Sequence, residues 1–169
     1  ESPEQVRQHL AIDGPRLISR ANGKSWSYGE LEILSLAQLR ERVRRVGGDG
    51  GPITVREVVA NVQHLHTDPK NEHAVFQVAS QFNLLEMSSP GVTPECGVGI
   101  YEDDHTQGPA CAIAAGAGTI FRNYFAVVNG RVGQTADNQI DCLSGIGDAL
   151  DNPGGRLWKM RNGYAMPSA

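Results

Sequence analysis

The segment at residues 108–119, GPACAIAAGAGT, restricts the fold most strongly. Proline is favoured at the first position of a helix because its missing N–H would be unpaired there anyway, so Gly108-Pro109 predicts a helix start. The small residues that follow keep one face of that helix thin; they are Ala112, Ala115, Gly116 and Thr119. We therefore expect either close packing of this helix on a sheet or an N-terminus that a phosphate approaches closely.

Further patterns predict the order of the elements. Ser35 and Gln38 form a capping box, which predicts a helix with the apolar stripe Leu36, Leu39, Val43 and Val46. The remaining patterns predict strands at 53–62, 74–79 and 157–161 and a helix at 137–150. Strands that alternate with helices favour an α/β fold with a parallel or mixed sheet. We expect residues 1–25 to be loosely ordered and residues 26–169 to form one domain.

Composition excludes several classes of protein. The chain has 169 residues and a formal net charge of −4, so we expect one domain and no nucleic acid partner. The three cysteines lack C-x-x-C spacing, which favours reduced thiols. No apolar run approaches the roughly 18 to 20 residues of a membrane span, and no membrane partner is expected. We expect a cytoplasmic location, with a secreted effector as an open alternative.

Three consecutive acids precede the predicted helix: Glu102, Asp103 and Asp104. Acids at this position complement the positive end of the helix dipole. They also suit glycosidic cleavage, in which a carboxylate activates water and negative charge stabilises an oxocarbenium-like transition state. Asp103 and Asp104 are therefore the candidate catalytic residues, and Glu86 and Glu95 are weaker candidates.

Two further segments offer polar groups after predicted strands. Asn83 follows the apolar run at 74–79, where its carboxamide would either hold a ribose hydroxyl or form a turn. Asn162, Gly163 and Tyr164 follow the last strand, where they would either wrap a phosphate and stack on a sugar or form an ordinary turn. Ligands in α/β sheets bind beyond the carboxyl ends of strands, which favours a site at both segments.

The strings "FQVASQFNLLEM", "YEDDHTQGPACA" and "RNYF" resemble the divergent macrodomain-like ADP-ribosyl hydrolases of the MavL type. The resemblance implies a macrodomain-like three-layer sandwich in which helices flank a mixed, largely parallel sheet. Two features depart from the pattern: the first ligand loop lacks a run of three glycines, and Cys96 stands where an acid would suit the chemistry. The resemblance also implies that a complete macrodomain would continue beyond "NGYAMPSA", so residues 26–169 are expected to be a minimal or truncated version.

The resemblance further implies a function. The chain would bind ADP-ribose or an ADP-ribosylated protein and hydrolyse the bond from ADP-ribose to a side chain, such as arginine on ubiquitin. No cofactor and no metal are expected. The implied ligand-binding residues are Gln81, Phe82, Asn83, Glu86, Thr106, Gln107, Gly108, Asn162, Gly163 and Tyr164.

Three other functions stay open. A non-catalytic ADP-ribose reader would use most of the same residues without the acids. A cysteine-dependent hydrolase would use Cys96, Cys111 or Cys142 with a histidine. A metal hydrolase would use His64, His66 and His73, although two neighbouring histidines with a distant third make a weak ligand set.

Overall fold

The computed structural model of the chain describes residues 1–48, 50–75, 81–99, 112 and 115–168. The chain divides into two compact units, one formed by residues 1–32 and 78–169 and the other by residues 33–77. The α-helices are α1 (Pro3–His9), α2 (Leu36–Val46), α3 (Val62–Thr67), α4 (Gly116–Tyr124) and α5 (Ser144–Ala149). The strands are β1 (Leu10–Asp13), β2 (Arg16–Ser19), β3 (Ser25–Ser27), β4 (Val127–Val128), β5 (Arg131–Val132), β6 (Trp158–Arg161) and β7 (Tyr164–Pro167).

The described sheets of the larger unit are all antiparallel. One has three strands in the order β1-β2-β3, and the pairs β4-β5 and β6-β7 form two-stranded sheets. Two of the connections are Asn-Gly turns with positive φ, Asn129-Gly130 (49° and 78°) and Asn162-Gly163 (46° and 80°). Such turns match the twist of a hairpin and join antiparallel neighbours.

This arrangement corrects the predicted fold class. The described residues contain short antiparallel sheets of two or three strands, not a three-layer sandwich with a mixed, largely parallel sheet. The physical reason is the length of the connections, because a two-residue turn can join only antiparallel strands, whereas parallel strands need a long crossover.

Several predicted elements differ from those observed. The predicted strand at 53–62 is wrong, since residues 51–61 form no regular element and α3 begins at Val62. The predicted helix at 137–150 is reduced to Ser144–Ala149. Residues 76–79 of the predicted strand at 74–79 lie outside the described residues. The predicted helix start at Gly108-Pro109 also lies outside them. The capping box at Ser35 and the strand predicted at 157–161 are confirmed, but that strand is not the last one, because β7 follows it.

The core of the larger unit lies between its short elements. Leu17, Leu85 and Met87 are at most 2% exposed, and each such side chain contributes about 1.5 to 3 kcal/mol by burial. The other buried apolar residues of this unit are Val6, Ala112, Tyr124, Ala126, Val128 and Ile140. Within the described residues, no helix combines the length and apolar character that crossing a membrane requires.

The smaller unit consists of α2, α3 and a 3₁₀ turn at Pro69–Asn71. The Ser35 hydroxyl accepts a hydrogen bond from the Gln38 N–H at 3.2 Å, and Gln38 Oε1 accepts one from the Ser35 N–H at 2.8 Å. α2 ends at Gly47, and none of its side chains is buried. Its order therefore depends on local interactions rather than on packing.

Candidate functional site

The loop that begins at Gln81 is joined to the β6-β7 turn. The Phe82 N–H donates to the Gly163 carbonyl at 2.6 Å, and Gln81 pairs with Tyr164 in an isolated antiparallel bridge. The Gln81 side chain donates from Nε2 to the Asn162 carbonyl at 2.6 Å. Two segments about eighty residues apart in the sequence are therefore held in direct contact.

Asn83 is fully buried, with no exposed surface. Its Nδ2 donates to Gln139 Oε1 at 3.1 Å, and its Oδ1 accepts from the Leu85 N–H at 3.1 Å. Gln139 in turn donates from Nε2 to Asn162 Oδ1 at 3.1 Å. Since a buried amide without partners is costly, these bonds fix the orientation of the Asn83 side chain.

Gln134 links three stretches of backbone. Its Nε2 donates to the carbonyls of Asn83 at 2.9 Å and Arg122 at 3.1 Å, and its Oε1 accepts from the Ile140 N–H at 3.0 Å. We refer to the side chains of Gln81, Asn83, Gln134, Gln139 and Asn162 as the carboxamide network. The network fixes the loop at 81–87 against α4, the segment 134–140 and the β6-β7 turn.

The loop at 84–87 has strained backbone. Leu84 and Glu86 have φ angles of 65° and 53°, values that residues with a side chain rarely adopt. The conformation is held from several sides: Arg122 Nε donates to the Leu84 carbonyl at 2.8 Å, Gln81 Oε1 accepts from the Met87 N–H, and the Tyr164 hydroxyl donates to the Met87 carbonyl. Strain that the surroundings fix in this way is often found at functional sites.

Glu86 is the titratable group of this loop. Glu86 is only 6% exposed. Burial raises the pKa of the Glu86 carboxyl to about 7, although a hydrogen bond from the Gln81 backbone and the positive charge of Arg122 act in the opposite direction. A carboxyl with such a pKa can donate or accept a proton near neutral pH.

The predicted ligand-binding residues are brought together only in part. The structure joins Gln81, Phe82 and Asn83 to Asn162, Gly163 and Tyr164, with Glu86 in the same loop. The described polar side chains of this group bond to each other or to backbone, so they shape the site. Their contact with a ligand stays a prediction. Five predicted site residues lie outside the described residues: Asp103, Asp104, Thr106, Gln107 and Gly108.

Sequence reasoning missed Gln134, Gln139 and Arg122. Gln139 lies in the predicted helix at 137–150, and Gln134 lies in a segment, 126–134, whose sequence predicts strand or loop. No local pattern marks either side chain as buried. Arg122 gave a signal, because it is a charged residue that directly follows the apolar pair Ile120 and Phe121 in α4. Glu95, a weaker catalytic candidate, accepts a hydrogen bond from the Ala136 N–H at 2.8 Å.

A cavity of about 750 Å³ lies between the β1-β2-β3 sheet and α4, and we call it the Trp26 cavity. Tyr28 connects its two walls, since the Tyr28 ring stacks on Phe121 with centroids 4.0 Å apart and its hydroxyl donates to the Gly14 carbonyl at 2.7 Å. The described lining residues are Leu10, Leu17, Ser19, Trp26, Ser27, Tyr28, Ala115, Gly116, Ala117, Gly118, Ile120 and Arg122.

The groups needed for the alternative chemistries are scattered. Cys96 and Cys142 are exposed free thiols, and Cys111 lies outside the described residues. In the described part of the chain, no group of three or more His, Cys, Asp or Glu side chains is arranged to hold a metal ion. His64 and His66 belong to helix α3.

Comparison with known proteins identifies no relative. No protein family model matches the sequence, and neither the curated proteins nor the solved structures give a significant match.

Proposed function

We propose that the chain is an ADP-ribosyl hydrolase, which binds ADP-ribose and cleaves the bond between ADP-ribose and a protein side chain. Arginine, for example on ubiquitin, is the first linkage to test. The strings that span residues 76–87, 101–112 and 122–125 support the proposal through their resemblance to hydrolases of the MavL type.

The observation that carries the proposal is the environment of Glu86. A nearly buried carboxyl lies in a strained loop within electrostatic reach of Arg122, and burial raises its pKa to about 7. Carboxyls that are perturbed in this way are concentrated at sites of proton transfer. Hydrolysis of a glycosidic bond needs such a group together with a second carboxylate.

In the proposed reaction, Glu86 and the second carboxylate each transfer a proton. Asp103 or Asp104 accepts a proton from water, and the water oxygen forms a bond to the anomeric carbon of the ribose. The bond from that carbon to the protein side chain breaks, and its electron pair stays with the leaving atom. Glu86, which is partly protonated at neutral pH, supplies a proton to that atom.

The test is release of free ADP-ribose from an arginine-linked ADP-ribosylated peptide, measured by chromatography. We expect turnover by the wild type and a loss of roughly 100-fold or more in kcat for Glu86→Gln and for one of Asp103→Asn and Asp104→Asn. Asp13→Asn changes an exposed acid of the β1-β2 turn and is the matched control, which should retain full activity.

Binding distinguishes the hydrolase from the reader. ADP-ribose affinity, measured by calorimetry, should be retained in the aspartate variant that loses turnover. Binding by the wild type without release from arginine-linked or acid-linked peptides would contradict the hydrolase and leave the reader. Insensitivity of turnover to thiol alkylation would exclude the cysteine-dependent alternative.

A further inference from the structure

The Trp26 cavity is a candidate binding site that no sequence pattern indicated. Its volume of about 750 Å³ lies within the range of roughly 300 to 1,000 Å³ that small-molecule sites occupy. It is formed by a sheet and a helix that Tyr28 and Phe121 hold together, so its walls exist before any ligand arrives. We propose that this cavity binds the base of an adenine nucleotide, with Trp26 as the stacking surface.

The aromatic lining supports a planar ligand. Trp26 is 45% exposed, and its side chain lines the cavity. In the described part of the chain, the one stacked pair of rings joins Tyr28 to Phe121 and leaves Trp26 out of it. Aromatic side chains bind bases through their faces, and every base offers such a face. The apolar residues Leu10 and Ile120 add to a lining suited to a flat ring.

The polar lining supports a nucleotide rather than a neutral aromatic compound. Among the described lining residues, Arg122 is the only charged one, and its Nε and Nη2 donate to the Leu84 carbonyl and the Thr119 hydroxyl, so it supplies positive charge to the cavity from a fixed position. The Ser19 hydroxyl offers a donor and an acceptor on the strand side. Arg122 also connects this cavity to the Glu86 loop, because its Nε donates to the Leu84 carbonyl at 2.8 Å.

The small residues of α4 keep the cavity open. Gly116 lines the cavity, and a Cβ atom there would meet no atom within 4 Å, so a larger side chain can be placed at this position without a clash. At Gly118 a Cβ atom would lie 2.9 Å from Arg122 Nη1. A large side chain at Gly116 would therefore fill the cavity without displacing Arg122, whereas one at Gly118 would displace it.

The identification of the nucleotide as the ADP part of ADP-ribose rests on the proposed function. The base would lie in the Trp26 cavity, and the distal ribose would extend toward the loop that carries Glu86. This placement makes Arg122 a positioning residue for both parts, because it lines the cavity and holds the Leu84 carbonyl.

The experiment uses the two tryptophans of the chain, Trp26 and Trp158. In Trp158→Phe the remaining fluorescence reports on Trp26, and we expect AMP and ADP-ribose to quench it while ribose 5-phosphate does not. Trp26→Phe leaves only Trp158 and is the matched control, whose fluorescence should not respond. Trp26→Ala and Gly116→Phe should each weaken AMP binding by about tenfold or more, and Gly116→Ala should retain it.

The outcomes separate the two proposals. If ADP-ribose binds by calorimetry while Trp26 does not respond and Gly116→Phe binds equally well, the cavity assignment is wrong and the hydrolase proposal stands. If AMP quenches Trp26 but ADP-ribose does not bind, the cavity is a nucleotide site and the proposed function is wrong. Absence of binding by both ligands, with each variant folded by circular dichroism, would overturn both.

Discussion

Gly163 leaves just enough room for the side chain of Asn83. A Cβ atom at Gly163 would lie 2.6 Å from both Nδ2 and Oδ1 of Asn83, closer than any relaxed contact. Asn83 cannot move aside, because it is fully buried and bonded to Gln139 and to the Leu85 N–H. The β6-β7 turn and the loop at 81–87 are therefore closely packed against one another.

We predict that Gly163→Ala destabilises the larger unit by about 3 kcal/mol or more. Overpacking against Asn83 costs about 1 to 3 kcal/mol, and a side chain at the φ of 80° adds strain of about 1 to 2 kcal/mol. Chemical denaturation measures the change in the free energy of unfolding.

Gly130→Ala is the matched control for this substitution. Gly130 has a φ of 78° in the Asn-Gly turn of the β4-β5 hairpin, and a Cβ atom there would meet nothing within 4 Å. The Gly130→Ala variant should lose only the free energy of unfolding that corresponds to backbone strain, about 1 to 2 kcal/mol. Equal losses for the two substitutions would show that the contact with Asn83 does not matter.

The stability of the larger unit should depend on pH through Glu86. Burial raises the pKa of this carboxyl from its ordinary value of 4.5 to about 7, so the folded state holds the proton more tightly than the unfolded state. The stabilising contribution is complete below pH 4.5 and is lost as the pH rises through 7. At about 1.4 kcal/mol per pKa unit, the loss amounts to about 3 kcal/mol at most.

Glu86→Gln isolates this contribution, because the amide does not titrate. We expect the difference in unfolding free energy between Glu86→Gln and wild type to shift in favour of the variant between pH 4.5 and 7 and to stay constant at higher pH. Denaturation curves at a series of pH values measure it. A difference that does not vary with pH would mean that Glu86 titrates at its ordinary value in the folded chain.

The hydrogen bonds that Gln134 donates to two carbonyls give a third prediction. Its Nε2 lies 2.9 and 3.1 Å from two carbonyl oxygens, so Gln134→Glu would place an acceptor against two acceptors. We expect a loss of about 3 kcal/mol or more at neutral pH and partial recovery in acid, where the new carboxyl is protonated. Denaturation at pH 5 and pH 8 measures both effects.

Gln5→Glu is the control, because Gln5 uses only Oε1 at the start of α1, where it accepts from the Ser2 N–H at 2.7 Å. A carboxylate keeps that bond and favours a helix N-terminus, so its stability should change by less than about 1 kcal/mol. A Gln134→Glu variant as stable as Gln5→Glu would contradict the hydrogen-bond assignment at Gln134.

The elements that were predicted correctly are those that depend only on residues close to one another in the sequence. The capping box at Ser35 and the β6 strand needed only neighbouring residues. The predicted helix at 137–150 is shortened because side chains compete for its backbone. Gln134 Oε1 accepts from the Ile140 N–H at 3.0 Å, and Asp141 Oδ1 accepts from the Leu143 N–H at 2.8 Å.

The sheet type and the carboxamide network depend on distant partners. The β-branched residues at 53–62 favour a strand only where another strand supplies hydrogen bonds, and the described structure gives them none. Asn83 and Gln139 are 56 residues apart in the sequence, and neither carries a pattern that identifies the other. For the candidate site, the prediction that the loop at 81–86 and the turn at 162–164 both contribute relied on the strand ends of a parallel or mixed sheet, whereas the structure brings them together through direct hydrogen bonds that were not predicted.

Helix α2 gives the last prediction, because it has a cap but no buried side chain. A helix of 11 residues is marginal by itself in water, so loss of the Ser35 hydroxyl, at about 1 kcal/mol, should open its first turn. We expect Ser35→Ala to speed amide hydrogen exchange at Leu39 and Arg40, while Ser35→Asp, which keeps an acceptor, preserves the protection. Ser2→Ala removes an equivalent cap from α1, where Val6 is buried, and there the helix should stay protected. Unchanged exchange at Leu39 in Ser35→Ala would show that α2 is held by something other than its cap.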